Sequence, residues 1–228
     1  MSNPSIISLT LPAAVANGIS TSQTPGAAGD LTITGSLATA GVATLVPARR
    51  VAVASAANDA AKTFTIYGTD RNGNTQTEAI TGVNTGSVSS LLDFLTVTRV
   101  AVSAATAGAI TVGTNATGST EWVLDNYLAS SWALTVAVSI DGTVTYTVEH
   151  TYDDPNKIGT SLVAMPEQFS NEAGSYVPAK AWPKSDMTAK TAQAEAVYDN
   201  MPIFAHRLTI TSGTARATMQ SLQAGVTS

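Results

Sequence analysis

The strongest constraint on the fold is a strict alternation, with a period of two, in the second half of the chain. Apolar side chains occupy every second position in two runs: Trp132, Leu134, Val136, Val138 and Ile140, then Val144, Tyr146, Val148 and His150. A period of two is typical of a strand that buries one face. The turn residues Asp141-Gly142 separate the runs, so the pattern predicts a β-hairpin.

The register of this hairpin depends on the length of its loop. A two-residue loop places Val138 opposite Thr145 and mixes apolar with polar side chains on each face. A three-residue loop, residues 140–142, places Val138 opposite Val144 and gathers both apolar rows on one face. We therefore favour the three-residue loop, with Gly142 at the left-handed position of a bulge.

A second hairpin is predicted at the end of the chain. Residues 203–211 and 214–222 flank Ser212-Gly213, which places Leu208 and Ile210 opposite Ala215 and Ala217. Residues 153–202 between the hairpins are long, irregular and interrupted by prolines. Within them, the alanine-rich stretch 188–197 is assigned as strand rather than helix, because its surroundings are β.

The first half reads as short strands rich in Thr, Val and Ile, separated by Gly, Asn and Asp. Asn72-Gly73 predicts a tight hairpin turn, because both residues tolerate positive φ. Residues 54–61 have helical propensity but are assigned as a loop between strands. The predicted strands are 31–34, 42–45, 50–54, 63–68, 76–81, 88–92, 95–102 and 109–113.

A possible internal repeat links parts of this half. Ile33-Thr34-Gly35 recurs as Ile80-Thr81-Gly82, and residues 50–53 recur as residues 99–102. Chance similarity in a chain rich in Ala, Val and Thr is the alternative explanation. A true duplication would give a pseudo-symmetric sandwich or barrel, because two units are too few for a solenoid.

Charge divides the chain unevenly. Five basic and five acidic residues precede Gly118, whereas six basic and eleven acidic residues follow from there. The segment Gly113–Thr120 has the Gly/Ser/Thr/Asn composition of a linker. The sequence therefore predicts an all-β protein of two β-sandwich or barrel-like domains, residues 1–117 and 118–228, joined by a Gly/Thr-rich linker.

Composition removes several functional classes. The chain has no cysteine, so it holds no disulfide and no Cys-ligated metal. It has no basic cluster beyond Arg49-Arg50 and no run of 18 apolar residues, so we expect neither nucleic acid nor a membrane as partner. The first ten residues lack the pattern of a signal peptide, so we expect synthesis and folding in a cytoplasm.

No candidate catalytic or metal site stands out. His150 and His206 lie in strands and are interpreted as packing residues, and no G-x-S-x-G motif supports a serine triad. Asp153-Asp154 before Pro155 is typical of a strand-ending turn. Residues 70–74 depart from the calcium-loop pattern, because Gly73 stands at the fourth position. Trp122, Trp132 and Trp182 are scattered, so we expect core or interface roles and no cofactor.

Several stretches resemble virion structural proteins of tailed bacteriophages. They are residues 47–53, Asn58-Asp59, 64–74, 93–100, 146–155, 205–213 and 222–225. The resemblance rests on pattern rather than on a diagnostic motif. It implies a non-enzymatic particle component with the β-sandwich style of head decoration, collar and tail proteins.

This resemblance sets the functional expectation. A capsid decoration or cement protein, binding the major capsid protein in many copies, is the first hypothesis. A neck, collar or head-to-tail connector component, in contact with portal or neck proteins, is the alternative. A receptor- or carbohydrate-binding tail module, or a lyase-like β enzyme, should show clustered aromatics or paired carboxylates, which the sequence lacks. We expect a homo-oligomer, with a trimer favoured, located in the virion.

The N-terminal residues are the candidate assembly arm. They contain few large apolar side chains, and Pro4 supplies no backbone donor. We expect an extended arm that pairs with a neighbouring subunit. The first domain, with balanced charge, should make most oligomer and particle contacts, and the acidic second domain should face outward. The arm comprises Ser2, Asn3, Pro4, Ser5, Ile6, Ile7, Ser8, Leu9 and Thr10.

Overall fold

A computed structural model describes residues 4–126, 132–155, 180–199 and 202–224. In this part of the chain the only helical element is one 3-10 turn, Ser185–Met187, and no helix is long and apolar enough to cross a membrane. The strands are β1 (Ser5–Leu9), β2 (Ser20–Gln23), β3 (Gly29–Asp30), β4 (Ala38–Thr39), β5 (Val42–Asn58), β6 (Thr63–Thr69), β7 (Thr75–Thr81), β8 (Asn84–Val102), β9 (Ile110–Thr114), β10 (Gly118–Ser119), β11 (Val123–Leu124), β12 (Ala133–Ile140), β13 (Val144–Thr151), β14 (Trp182–Pro183), β15 (Ala194–Asp199), β16 (Ala205–Gly213) and β17 (Ala217–Ala224). The predicted all-β class is confirmed.

The described residues form two compact units. Ala13–Ala116 makes up one, which we call the inserted unit. Residues up to Pro12 and from Thr117 onward make up the other, which we call the split unit because the inserted unit interrupts its sequence. The domains were predicted as 1–117 and 118–228, so the first twelve residues group differently. The reason is that β1 pairs with β17.

The inserted unit is one antiparallel sheet in the order β2-β9-β5-β8-β6-β7, with β3 added to β8 and β4 to β5. The long strands β5 and β8 organise it, since each has partners on both sides at different points along its length. Their inward side chains enclose one apolar core. Its largest fully buried apolar members are Phe64, Phe94, Ile19, Leu45, Ile66 and Ile110.

β5 and β8 are each longer than the strands predicted from the sequence. The predicted strands 42–45 and 50–54 are parts of β5, and 88–92 and 95–102 are parts of β8. One register shift of the β5–β8 pairing, between Thr44 and Arg49, coincides with the predicted break in β5, so an irregularity that keeps a strand continuous can resemble a strand end in the sequence. β5 also runs through Asn58, into the predicted loop 54–61, and residues 31–34 are not a strand.

The hairpin predicted at Asn72-Gly73 is confirmed. β6 and β7 pair from Thr63 opposite Thr81 to Thr69 opposite Thr75, and Gly73 has φ of 82°. The carboxylate of Asp70 accepts hydrogen bonds from the backbone N–H groups of Asn72 and Asn74. The carboxylate therefore fixes a turn of the Asx type, a feature that the prediction of a turn at Asn72-Gly73 did not include.

The segment predicted as a linker is instead packed. Gly113 and Thr114 end β9, and Gly118 and Ser119 form β10, all four of them buried. A Cβ on Gly113 would lie 2.0 Å from the carbonyl oxygen of Val15. Small residues occur here because backbone segments approach closely, and composition alone does not distinguish this cause from flexibility.

The split unit is a sandwich of two antiparallel sheets. The front sheet has the order β1-β17-β12-β15, and the back sheet has the order β10-β16-β13-β14, with β11 also on β16. One core fills the space between them. The front sheet supplies residues such as Leu9, Leu134, Val136, Tyr198 and Met219, and the back sheet supplies Tyr146, Val148, Leu208 and Ile210.

Neither C-terminal hairpin forms as predicted. β12 pairs with β15 and β17 in the front sheet, whereas β13 pairs with β14 and β16 in the back sheet. The turn after Ile140 therefore crosses between sheets, Val138 is not opposite Val144, and φ of Gly142 is not positive. The turn between β16 and β17 crosses in the same way, so Leu208 and Ile210 do not pair with Ala215 and Ala217. The assignment of strand within 188–197 is correct from Ala194 onward.

The proposed repeat has unequal surroundings in the fold. Ile80 lies in β7, but Ile33 lies in a connection without strand structure. Arg50 and Arg99 do lie in the corresponding long strands β5 and β8. β5 and β8 pair with each other. The similarity between residues 50–53 and 99–102 therefore joins two long strands, whereas the similarity between residues 33–35 and 80–82 joins a connection without strand structure to a strand.

Candidate functional site

The predicted arm lies, where it is described, against its own chain. Residues 5–9 pair in register with β17, from Ser5 opposite Ser221 to Leu9 opposite Ala217. Leu9 is buried in the split-unit core and Ile7 packs against it. Although the segment has few large apolar side chains, two of them therefore contribute to the core of the split unit. Ser2 and Asn3 lie outside the described residues.

β1 carries the geometry of a sheet edge. Ile6 and Ser8 face outward, and Ile6 is 63% exposed. The hydroxyl groups of Ser8 and Thr218 lie 2.9 Å apart across the β1–β17 pair. The other edge of β1 has no strand partner among the described residues. The segment is thus an ordered strand with one free edge rather than an extended arm.

The front sheet presents a low-charge outer face. Its exposed apolar side chains are Ile6, Val197 and Leu222, and its only charged side chains, Glu195 and Asp199, lie on the edge strand β15. A shallow depression of about 400 Å³ opens on this face, beside Ala137, Gln193 and Gln220. Its lining has no aromatic ring, so it lacks the stacking platform of a sugar site.

The surface of the inserted unit also carries little free charge. Arg49 is 2% exposed, and burial lowers the pKa of its guanidinium, whose Nη1 donates to the carbonyl of Ala13 at 3.2 Å. Arg99 and Asp30 neutralise each other across 2.7 Å. Arg50 lies 4.0 Å from Asp93.

Two acidic side chains of this unit bind its own backbone. The carboxylate of Glu78 accepts hydrogen bonds from the N–H groups of Leu91 and Leu92, and burial raises its pKa. Asp59 is fully buried and accepts hydrogen bonds from the Ser55 hydroxyl and the Ala107 N–H. Burial opposes ionisation of Asp59, but these hydrogen bonds outweigh it and lower the pKa.

Exposed apolar side chains accompany this neutral surface. Leu91 is 76% exposed on β8, and Val46 is 70% exposed on β5. They are the two most exposed large apolar side chains in the described part of the chain. Alternation gave no signal for either residue, because the irregular parts of β5 and β8 change which side chains face outward.

The two histidines meet in the back sheet. His150 on β13 lies directly opposite His206 on β16, and both are buried. His206 Nδ1 lies 2.8 Å from the carboxylate of Asp125, while its Nε2 has no hydrogen-bond partner. His150 Nδ1 lies 3.4 Å from the hydroxyl of Tyr198. Burial and then Lys184 lower the pKa of His150, and burial raises that of Tyr198.

The Asp125–His206 contact resembles the orienting half of a catalytic triad. Among the described residues no nucleophilic side chain is hydrogen-bonded to His206 Nε2, and His206 is 0% exposed. Both histidines are buried, as expected for packing residues, but the contact of His206 with Asp125 was not expected. Sequence reasoning missed Asp125, which is 81 positions away in the chain and gave no signal.

The remaining polar candidates have structural contacts. Asp153 accepts a hydrogen bond from the Lys180 N–H, and the described residues contain no cluster of three or more His, Asp or Glu suited to a metal ion. Trp122 stacks under Arg207, whose guanidinium lies 4.4 Å from the ring centre. Trp132 is buried in the core, and Trp182 is 42% exposed with Lys180 over its ring.

Arg207 also closes a polar ladder on the outer side of the back sheet. Glu149 accepts hydrogen bonds from Arg207 and from the hydroxyl of Thr209, which in turn contacts Ser119. These contacts tie β10, β16 and β13 together.

Comparison with protein-family models, with curated proteins and with solved structures found no match to this chain.

Proposed function

We propose that this chain is a non-enzymatic structural protein of a tailed-bacteriophage virion. In this proposal it decorates the head in many copies by binding the major capsid protein through its inserted unit. The observation that carries the proposal is the neutral, internally compensated surface of that unit, together with exposed Leu91 and Val46.

Desolvation is the physical reason. Burying an unpaired charge against another protein costs several kcal/mol, whereas burying apolar surface is favourable. In the inserted unit Arg49 and Asp59 are already buried, and Arg99 and Asp30 are already paired. Contact with a capsid then mainly removes apolar and neutral polar surface from water. Interface cores are depleted of charge in the same way.

The split unit has the opposite character. The net charge of −5 comes entirely from residues outside the inserted unit. Like charges on many copies repel when they are packed together, so this unit suits the side that faces water. The proposal therefore keeps particle contacts on the inserted unit.

Copy number in purified particles tests the position in the virion. Quantitative mass spectrometry should give hundreds of copies for a decoration protein. About a dozen copies would indicate a neck or collar component, and a few trimers would indicate a tail fibre module. Absence from purified particles would refute the virion assignment altogether.

Point variants test the contact surface. Leu91→Lys and Val46→Lys should each reduce binding to particles stripped of the protein, because a lysine must be desolvated in the contact. Leu124→Lys is the matched control, since Leu124 is 54% exposed on β11 of the split unit. Equal binding by all three variants, or loss only with Leu124→Lys, would contradict the assignment.

Salt dependence provides an independent readout. Docking by a neutral surface should change little between low and high ionic strength, whereas docking by the acidic unit should weaken as salt screens it. The full-length chain is required for this measurement. A fragment that begins at residue 118 would lack β1 and the buried Leu9 and Leu11, which belong to the split unit.

A further inference from the structure

The front sheet has two edge strands, β15 and β1, which differ in how well they are guarded against pairing with another chain. An unpaired strand edge exposes a row of N–H and C=O groups that can pair with another chain, and proteins commonly guard such edges with charge or cover. β15 carries Glu195 and Asp199 at one edge. β1, at the other edge, is part of a stretch from Pro4 to Thr10 that has no charged residue.

The edge strands of the inserted unit differ from β1. β7 carries one charged residue, Glu78, whose carboxylate binds backbone N–H groups of β8. β2 is covered by the segment around Thr32, whose backbone N–H and C=O both bind the side chain of Gln23, and whose C=O also binds Ser20. Within the described residues, β1 is the one of these four edge strands that has neither a charged side chain nor a segment bound along its free edge.

β1 is also regular enough to extend the sheet. Its five residues pair with β17 without a register shift, so the free edge is a straight row of backbone groups. Ile6, 63% exposed, lies on its outer face. A β-branched apolar side chain next to an open edge favours pairing with a similar strand.

We propose that β1 pairs antiparallel with the β1 of a second copy of this chain, joining two front sheets across a two-fold axis. This proposal rests on the assembly proposed above and names one contact within it. Antiparallel pairing about Ile6 places the two Ile6 side chains opposite each other, and pairing about Ile7 places Ile6 opposite Ser8. Both registers keep Ile7 and Leu9 on the core face, because the residues of each pair have the same parity.

The distribution of charge favours pairing through β1 rather than through β15. A β15–β15 pair would bring two sets of carboxylates, Glu195 and Asp199, into one short ladder, and opposed like charges destabilise such pairs. A β1–β1 pair opposes no charges. Two-fold pairing also closes after two copies, whereas joining β1 to β15 would propagate without end. The contact predicts an even number of copies, in contrast to the trimer that the resemblance favours.

The absence of cysteine makes a direct test possible. The Ile6→Cys chain should form a disulfide-linked dimer under mild oxidation, or Ile6→Cys mixed with Ser8→Cys should form the mixed dimer if the register centres on Ile7. Val197→Cys is the matched control, because Val197 is 45% exposed on the guarded edge β15. Non-reducing electrophoresis that shows no more dimer for Ile6→Cys, alone or mixed, than for Val197→Cys would overturn the proposal.

A second measurement does not depend on cross-linking. Ile6→Lys should weaken self-association about tenfold in sedimentation, because the two lysines lie directly opposite each other in the register centred on Ile6 and bring two like charges into the same short ladder in the register centred on Ile7. Leu222→Lys, on the central strand β17 of the same face, is the control and should associate as the unmodified chain does. Equal association of both variants would contradict edge pairing. Circular dichroism should show that both variants keep the fold, since both side chains point outward.

Exchange of β1 between copies is a different mechanism and has its own signature. Ser8 and Thr218 lie opposite each other, so a mixture of Ser8→Cys and Thr218→Cys chains would cross-link only if one copy donates β1 to the other. That result would overturn edge pairing. If the chain occupies particles normally but shows no β1–β1 pairing, the proposed function still holds and only the edge pairing is refuted. If the chain forms the dimer but is absent from particles, only the proposed function is refuted.

Discussion

The substitution Gly113→Ala distinguishes a packed connection from a flexible linker. The two cases predict changes of opposite sign in the free energy of unfolding. In a flexible linker, Gly→Ala is neutral or stabilises by about 0.4–1 kcal/mol, since it restricts the unfolded chain. In the structure, a Cβ on Gly113 would lie 2.0 Å from the Val15 oxygen and 2.4 Å from the Ala16 carbonyl carbon. Both are backbone atoms, so no side chain can turn away to relieve the overlap.

The loss of stability in Gly113→Ala can be worked out from the backbone that the new Cβ would displace. Residues 15 and 16 would have to shift by more than an ångström, which breaks two hydrogen bonds: Thr114 N–H to the Val15 carbonyl, at 2.9 Å, and Val15 N–H to the Thr114 hydroxyl, at 3.0 Å. Each bond contributes roughly 1 kcal/mol, and overpacking costs about 1–3 kcal/mol more. We expect Gly113→Ala to lower the free energy of unfolding by about 3–5 kcal/mol.

Urea and thermal denaturation of the full chain measure this change. A loss of that size should lower the melting temperature of the inserted unit by about 15–30 °C. Gly26→Ala in the same unit is the control, because a Cβ there has no neighbour within 4 Å. The packing argument would be refuted by a Gly113→Ala chain that is as stable as Gly26→Ala. A chain that fails to fold beside a stable Gly26→Ala would support it.

Three further outcomes are expected. His150, with a folded pKa below its usual 6.5, should contribute stability above pH 6.5 that is lost as the pH falls toward the folded pKa, and His150→Gln should flatten this dependence in urea melts between pH 7.5 and 5. Asp59→Ala should cost roughly 2–3 kcal/mol in urea unfolding at pH 7, because the Ser55 hydroxyl and Ala107 N–H lose a buried acceptor; an unchanged midpoint would contradict this role. Tyr146→Phe should cost about 1 kcal/mol in a thermal melt, since its hydroxyl donates to the Ala192 carbonyl at 2.8 Å; no change would show that this bond contributes nothing.

Local patterns predicted the strands better than their partners. Alternation identified the buried faces of β12 and β13, and Asn72-Gly73 located the β6–β7 turn, because both signals depend on neighbouring residues only. The continuity of β5 and β8 was missed, since register shifts interrupt the alternation without ending the strand. Strand partners depend on residues far away in the chain, such as β1 and β17.

The same limit applies to the candidate sites. Burial of the two histidines was predictable, because each stands in a strand of apolar neighbours. The Asp125–His206 contact was not, because Asp125, which follows β11, and His206 on β16 are distant in sequence. The free edge of β1 was also hidden, since an uncharged N-terminal stretch reads equally as an arm or as an edge strand.

The misplaced hairpins follow from a real ambiguity in the physics of a sandwich. A tight turn between two alternating strands buries both apolar rows whether the second strand pairs with the first or crosses to the opposite sheet. Which arrangement forms depends on which other strands pair with β12 and β13. β12 is flanked by β15 and β17, and β13 by β14 and β16, so neither strand has an edge left for the other. β17 is itself paired on its far side with β1, so β12 and β17 are both central strands of the front sheet. The uncharged N-terminal strand thus belongs to the fold of the split unit through one edge, and its other edge is the one that we propose for pairing with a second copy.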